Sequence, residues 1–354
     1  MADGSYDYLV LGSTPLAGLI AGLLATEHRR RVCLVGEPFS PFRLQRSIDI
    51  SLAPITRPET LLLLKRSAAE TTRLVAGWGK GLVGRVDPLF VAETPASIAV
   101  LGHFRHLAIA LGYAVEPVAD RSIAEGLMLR VRDVQLLGHG RFEPALEAWL
   151  GCHDVRHLDR AETVLTLRKD GTAHLVSGDH GAEAAQVILA GDDAVLDYLP
   201  EEARDRSLAP IAGAAMLLDT LKPLPAPYLS FLDRGVVLVQ DGKASAAALL
   251  SGESSTARAR LGSAAARAGA LRLAGETVVG SLGTTDGAPF IGPARGHKAQ
   301  VVAALGPAAA FLAPALARHF AGVAATDEAR WFAARGPSRG NHRLLVGDYP
   351  TVPA

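Results

Sequence analysis

Tyr6-Asp7-Tyr8-Leu9-Val10-Leu11-Gly12-Ser13-Thr14-Pro15-Leu16-Ala17-Gly18-Leu19-Ile20-Ala21-Gly22-Leu23-Leu24-Ala25 is the stretch on which the fold turns. The apolar run ending at Gly12 reads as a buried parallel strand. A small-residue turn follows, and then an Ala/Leu-rich helix from about Pro15 to Glu27. Arg31-Val32-Cys33-Leu34-Val35-Gly36-Glu37 reads as a second strand with an acid at its end. A strand–helix–strand unit of this kind aims backbone N–H groups and the positive end of a helix dipole at one point, which suits a pyrophosphate. Glu37 lies about 20 residues beyond the turn, where an acid meets the two ribose hydroxyls of an adenosine.

The fingerprint G-x-G-x-x-G is represented by Gly12, Thr14 and Ala17. Alanine is accepted at the third place, where the need is close helix–strand packing. Threonine at the second puts a branched side chain where backbone should approach phosphate. Pro15 costs little in the first helical turn, which has no N–H to lose there, and Leu16 completes the turn. A second reading of the unit is therefore open: it keeps the fold and binds its dinucleotide weakly or not at all.

Composition narrows the class. The chain has 354 residues, 49% hydrophobic and 20% charged, more than one core of about 250–300 residues holds, so two domains are expected. Lys+Arg and Asp+Glu both total 36, which argues against nucleic acid or an anionic membrane as partner. The 2 cysteines, Cys33 in a predicted strand and Cys152 in a predicted loop, are too few for a disulfide framework. Asp3 and Asp7 stand where a signal peptide would be basic, and a cytoplasmic location is expected. The uncharged stretch from Val301 to Ala317 is broken by Gly306, Pro307 and Pro314 and falls short of the roughly 20 residues a membrane span needs. His103 and His106 share a helix face without a matching Cys or carboxylate, so no metal is expected.

Further along, Arg43, Arg46 and Arg57 are spread through a Pro/Ser-rich loop from Pro38 to Pro58, in solvated or phosphate-facing roles. Helices are expected over Glu59–Val75, Phe104–Leu111, Ala119–Gly126, Phe142–Leu150 and Ser254–Leu273. Strands are expected over Asp154–Leu158, Glu162–Leu167, Ala173–Ser177, Ala185–Gly191, Ala214–Asp219, Tyr228–Leu232 and Val236–Gln240.

Taken in order, four places resemble the FAD-dependent D-amino-acid-oxidase-type superfamily, which includes glycine, sarcosine and D-amino-acid oxidoreductases. They are the unit from Tyr6 to Glu37; Phe142-Glu143-Pro144-Ala145-Leu146; Glu162-Thr163-Val164 with Gln186-Val187-Ile188-Leu189-Ala190-Gly191; and Thr284-Thr285-Asp286-Gly287-Ala288-Pro289-Phe290-Ile291-Gly292. The resemblance implies FAD, with backbone at Val164 holding the adenine and Gly191 allowing close approach to the nucleotide. It places Asp286 and the segment through Gly292 along the flavin, and aims a helix beginning near Ala308 at the flavin's pyrimidine edge. Read without the resemblance, Val164 is a core residue of a strand and Asp286-Gly287 an ordinary hairpin turn.

Two departures bear on substrate. Amino-acid-oxidising members carry a carboxylate-clamping Arg just ahead of the fourth stretch, where this chain has Ser281. The family's "G-H-G-x-x-G" ahead of its last helix reads Ala303-Ala304-Leu305-Gly306-Pro307-Ala308 here. The resemblance implies an α/β chain in which a Rossmann-like FAD-binding domain (1–80, 138–210, 275–335) is interleaved with a β-rich substrate domain (81–137, 211–274), followed by a tail over 336–354. The expected function is FAD-dependent oxidation of an amine or amino-acid-like C–N bond by hydride transfer to flavin, on a small-molecule substrate, with a protein partner or homo-oligomer. The alternative is a non-catalytic or partner-dependent flavoprotein-fold subunit of a larger oxidoreductase; an NAD(P)-dependent reductase is a third reading. No side chain stands out as the catalytic base.

Overall fold

The structure, a computed structural model, describes residues 4–252, 254–268, 271–337 and 339. Strand β1 (Gly4–Leu11), helix α1 (Pro15–Thr26) and strand β2 (Val32–Gly36) form the opening unit. β1 pairs in parallel with β2 on one side and with strand His180–Ala190 on the other. The sheet continues through Gln300–Ala303 to Phe290–Pro293 at one edge and ends at Arg156–Asp159 at the other; Ala173–Ser177 and Thr163–Leu167 extend it antiparallel. Side chains alternate along β1 as a strand buried on both faces requires. Tyr8 and Val10 join the core that contains α1, while Leu9 and Leu11 join the core on the opposite face.

Pro15 through Leu24 are all buried, so α1 is apolar on every side. It packs on helices His139–Cys152 and Ala313–Phe320 as well as on the sheet. A Cβ added to Gly22 would lie 2.0 Å from the Trp149 ring, so only glycine lets the first of these helices come this close.

A second sheet, of eight strands among the described residues, runs Leu271–Thr284, Leu208–Thr220, Ser245–Ser251, Val236–Asp241, Tyr228–Phe231, Leu89–Ala92, Leu127–Val131 and Val115–Pro117. Helix α2 (Pro58–Ala76) buries Leu61, Leu64, Ala68 and Val75 at helical spacing against the segment Gly306–Phe320.

Three expected elements are corrected. Ala119–Gly126 is not a helix: the Asp120 carboxylate accepts from both the backbone N–H and the hydroxyl of Ser122, a local bond that competes with helical pairing. The helix expected over Phe104–Leu111 starts earlier, at Pro95, where Thr94 caps Ser97 N–H and proline takes the first turn. The helix beginning at Ser254 ends at Ala268, and Leu271–Thr284 is a strand paired with Leu208–Thr220 along its length. Of the expected tail over 336–354, residues 336, 337 and 339 are described; 338 and 340–354, with Arg343, lie outside the described residues. Among the described residues no helix is long and apolar enough to cross a membrane.

Candidate dinucleotide site

The site is built where β1 ends. Gly12 has φ 149°, and a Cβ there would meet the Ala190 carbonyl at 2.6 Å and Ala17 Cβ at 2.9 Å. A glycine is needed at this point of the turn, as the fingerprint's first position requires. Thr14 is the N-cap of α1 at φ −104°, ψ 162°, an extended conformation open to any residue, and its side chain makes no capping bond. Pro15, Leu16 and Ala17 enter the helix buried.

Both polar groups that Ser13 brings to the turn have partners. Ser13 N–H donates to the Asp193 carboxylate at 3.0 Å, and Ser13 Oγ accepts from Glu37 N–H at 2.9 Å. Asp193 comes from the short helix Asp192–Tyr198, which follows the strand on the other side of β1 and is capped by Gly191 at φ 125° beside the turn. Burial pushes the Asp193 carboxyl above the usual carboxylate range. Its neighbour Asp192 accepts from Leu282 N–H at 2.9 Å and Ala304 N–H at 2.8 Å, and burial pushes its pKa up to about 6.

Glu37 stands at the end of β2, where the sequence placed it, but its carboxylate is held by guanidinium groups. Arg46 Nη1 is 2.8 Å from one oxygen and Arg43 Nη1 is 3.3 Å from the other, while Arg160 approaches to 3.9 Å. Arg43 also reaches Glu143 at 3.1 Å. Glu143 lies 3.5 Å from His139 Nδ1, and His139 Nε2 is 3.1 Å from Asp49, an ion-pair contact outside aligned hydrogen-bond geometry. Burial works against charge on His139; the Asp49 and Glu143 carboxylates outweigh it and hold its pKa up at about 9, so the ring is protonated at neutral pH. Asp49 is itself buried, and it accepts the Ala310 N–H at 3.1 Å.

The remaining expected residues are distributed as follows. Ala308 is fully buried in the 3-10 segment Gly306–Leu312, which meets the charged chain through Ala310 and Asp49. Val164 lies on Thr163–Leu167 with 69% of its surface exposed, so it is not a core residue. Asp286 closes its own turn by accepting from Ala288 N–H at 3.1 Å, and pairs with Arg339 at 3.2 Å. Gly292 lies on the edge strand Phe290–Pro293, where a Cβ would meet Pro337 at 2.8 Å. Gly12, Thr14, Pro15, Leu16, Ala17, Glu37 and Gly191 are thus brought together at the end of β1, while Asp286 and Gly292 contact the C-terminal segment.

Sequence reasoning missed Asp193, Asp49, His139 and Glu143, and assigned Arg43 and Arg46 to phosphate or solvent. The available signals were two adjacent acids directly after Gly191 and a His-x-x-x-Glu pair on one helix face.

Whether FAD fits can be tested on these contacts. A dinucleotide needs the turn's N–H groups, a ribose-reading carboxylate and room. Ser13 N–H is given to Asp193 and both Glu37 oxygens to arginines. The cavity lined by Ser13, Thr14, Pro15, Arg43, Arg46 and His139 measures about 20 Å³, room for one water. Ligand sites of this kind occupy roughly 300–1,000 Å³. As these side chains stand, the residues do not fit FAD.

No family model and no curated protein sequence matches the chain. Solved structures do. Glycine oxidase from Geobacillus kaustophilus aligns with TM-score 0.67 and 16% identity over 90% of this chain and 94% of that one. Iminodiacetate oxidase from Chelativorans sp. BNC1 gives 0.64 and 16% over 89% and 94%. L-proline dehydrogenase from P. horikoshii gives 0.73 and 12% over 96% and 98%. The chain therefore has the fold of these oxidases and dehydrogenases over nearly its whole length. At these identities the likeness establishes the fold alone.

Proposed function

We propose that the chain is an FAD-dependent oxidoreductase acting on an amine or amino-acid-like C–N bond. The observation that carries this reading is the fold: the chain shares it with amine and amino-acid oxidoreductases over nearly its whole length, and its β1–α1 turn is closed by Gly12 at φ 149°, as a dinucleotide-binding turn requires. FAD would supply the electron acceptance, and the chain's own residues bear on substrate choice. Ser281 stands on the strand Leu271–Thr284 with its hydroxyl donating to the Ile211 carbonyl at 3.3 Å. No guanidinium occupies that position to grip a carboxylate in two places, which favours a secondary or larger amine, or a substrate presented by a partner, over glycine or D-alanine.

The test is purified protein given FAD and a panel of amines and amino acids, scored by anaerobic bleaching of the flavin band. Bleaching by amines supports the reading. Rapid bleaching by glycine overturns the substrate preference, and failure to take up FAD under any condition overturns the reading itself.

A second reading, a non-catalytic or partner-dependent subunit, is favoured by one specific observation: Asp193 already satisfies Ser13 N–H, and arginines already satisfy Glu37.

A further inference from the structure

The disagreement between the site's position and its present contacts has a physical content of its own. A dinucleotide seat in this fold has two ends. At one, backbone N–H groups at the start of α1 wait for a phosphate; at the other, a helix start faces the ring system. Here the first is met by a carboxylate of the chain: Asp193 takes Ser13 N–H, while Asp49 takes an interior N–H, that of Ala310, five residues into the Gly306–Leu312 segment. Between them the anionic side chain that would read a ribose is met by cations, Arg43 and Arg46 on Glu37. His139 links Asp49 to Glu143, which in turn holds Arg43.

These contacts span the sequence. Ser13 and Asp193 are 180 positions apart, and Asp49 and Ala310 are 261 apart. They are therefore products of the tertiary fold, in which a carboxylate drawn in from solvent accepts a backbone N–H.

We propose that this chain closes its own dinucleotide seat: Asp193, Arg43 and Arg46 occupy the contacts a dinucleotide would make, so the polypeptide is folded and stable with no cofactor, and any FAD that binds must displace them. The proposal rests on reading the end of β1 as a dinucleotide seat. It adds that seat and side chains compete. Asp193 matters most, because a phosphate arriving at Ser13 meets a carboxylate already there, and the two anions exclude each other at hydrogen-bond range. Arg43 and Arg46 could turn to a phosphate only by leaving Glu37 and Glu143 without their partners.

The experiment uses the full chain. Flavin absorbance is recorded as purified, FAD binding is followed by quenching of flavin fluorescence, and unfolding is followed thermally with and without millimolar FAD. Three proteins are compared: the natural sequence, Asp193→Asn, which removes the charge with little change of shape, and Glu37→Gln. The expectation is natural protein free of flavin as purified, unfolding cooperatively at a Tm that millimolar FAD moves less than it moves that of Asp193→Asn, because a ligand stabilises only in proportion to its binding. Asp193→Asn should lower the Kd for FAD by about tenfold or more, the ratio that a difference of about 1.4 kcal/mol produces. Glu37→Gln should lower the Tm of the flavin-free protein by about 2–4 °C, since it leaves Arg46 without a carboxylate and Arg43 with Glu143 alone.

The outcomes separate this proposal from the functional reading. Stoichiometric flavin in the natural protein overturns self-closure and leaves the FAD reading standing. Flavin-free natural protein with FAD uptake by Asp193→Asn supports both. Flavin-free protein, a Tm drop in Glu37→Gln and no uptake by either variant supports self-closure and overturns the FAD reading. An unchanged Tm in Glu37→Gln overturns self-closure whatever FAD does.

Discussion

Thr14 holds the position where the fingerprint has its second glycine, yet its φ of −104° asks nothing of glycine. The branched side chain makes no cap bond, and the donor beside it, Ser13 N–H, is taken by Asp193. Thr14→Gly should therefore cost only a few tenths of a kcal/mol in stability and leave FAD affinity unchanged. Denaturant unfolding and flavin-fluorescence titration check both; a large gain in affinity would show that the threonine itself limits the seat. His139 makes a second residue-scale prediction. Its pKa is raised from 6.5 to about 9, so its contribution to stability is complete below the unfolded value and is lost as pH rises through the folded one. Stability should fall between about pH 6.5 and 9, by an amount on the order of 1.4 kcal/mol for each unit of separation. His139→Asn, measured by urea unfolding across that range, should flatten the slope.

Among the elements, the α1 contact with helix His139–Cys152 sets how the charged chain reaches the turn, since that helix carries both His139 and Glu143. Alanine is the better helix former, and on an exposed helix Gly→Ala stabilises. At Gly22 the sign reverses, because the added Cβ would sit 2.0 Å from Trp149. Gly22→Ala should destabilise by about 1–3 kcal/mol, the range for overpacking a filled core. Thermal unfolding with near-UV circular dichroism of the tryptophans would register it. The loop from Pro38 to Arg57 is the other element that matters. Sequence alone gives its arginines solvated or phosphate-facing roles, but Arg43, Arg46 and Asp49 meet Glu37, Glu143 and His139 as partners.

At the scale of the molecule, the C-terminal segment closes the edge of the first sheet. Arg339 and Asp286 pair at 3.2 Å with each side chain 9% exposed. Arg339 also donates to the carbonyls of Pro289 and Ala288, next to Gly292. Removing one partner of a buried pair leaves an uncompensated charge, so Arg339→Ala should cost about 3 kcal/mol. Denaturant unfolding of the full chain reads that loss, and an effect below about 0.5 kcal/mol would mean that the pair is screened as at a surface.

The sequence by itself determined the β1–α1–β2 unit, the place of Glu37 and the α/β class, because those follow from local periodicity, from a small-residue turn and from spacing along one short unit. It also marked Gly12, whose need for glycine is set by one tight turn. It carried the helix from Ser254 too far, to Leu273, where Leu271 onward is a strand paired with Leu208–Thr220, and it misread Ala119–Gly126, where one aspartate redirects the backbone. What the site holds was decided only in three dimensions. Asp193 reaches Ser13 because parallel pairing sets His180–Ala190 beside β1, and Asp49 reaches Ala310 because α2 packs on the Gly306–Leu312 segment. No spacing rule connects groups so far apart in the chain; they meet because a carboxylate taken out of water needs hydrogen-bond donors, and the fold determines which backbone N–H lies within reach.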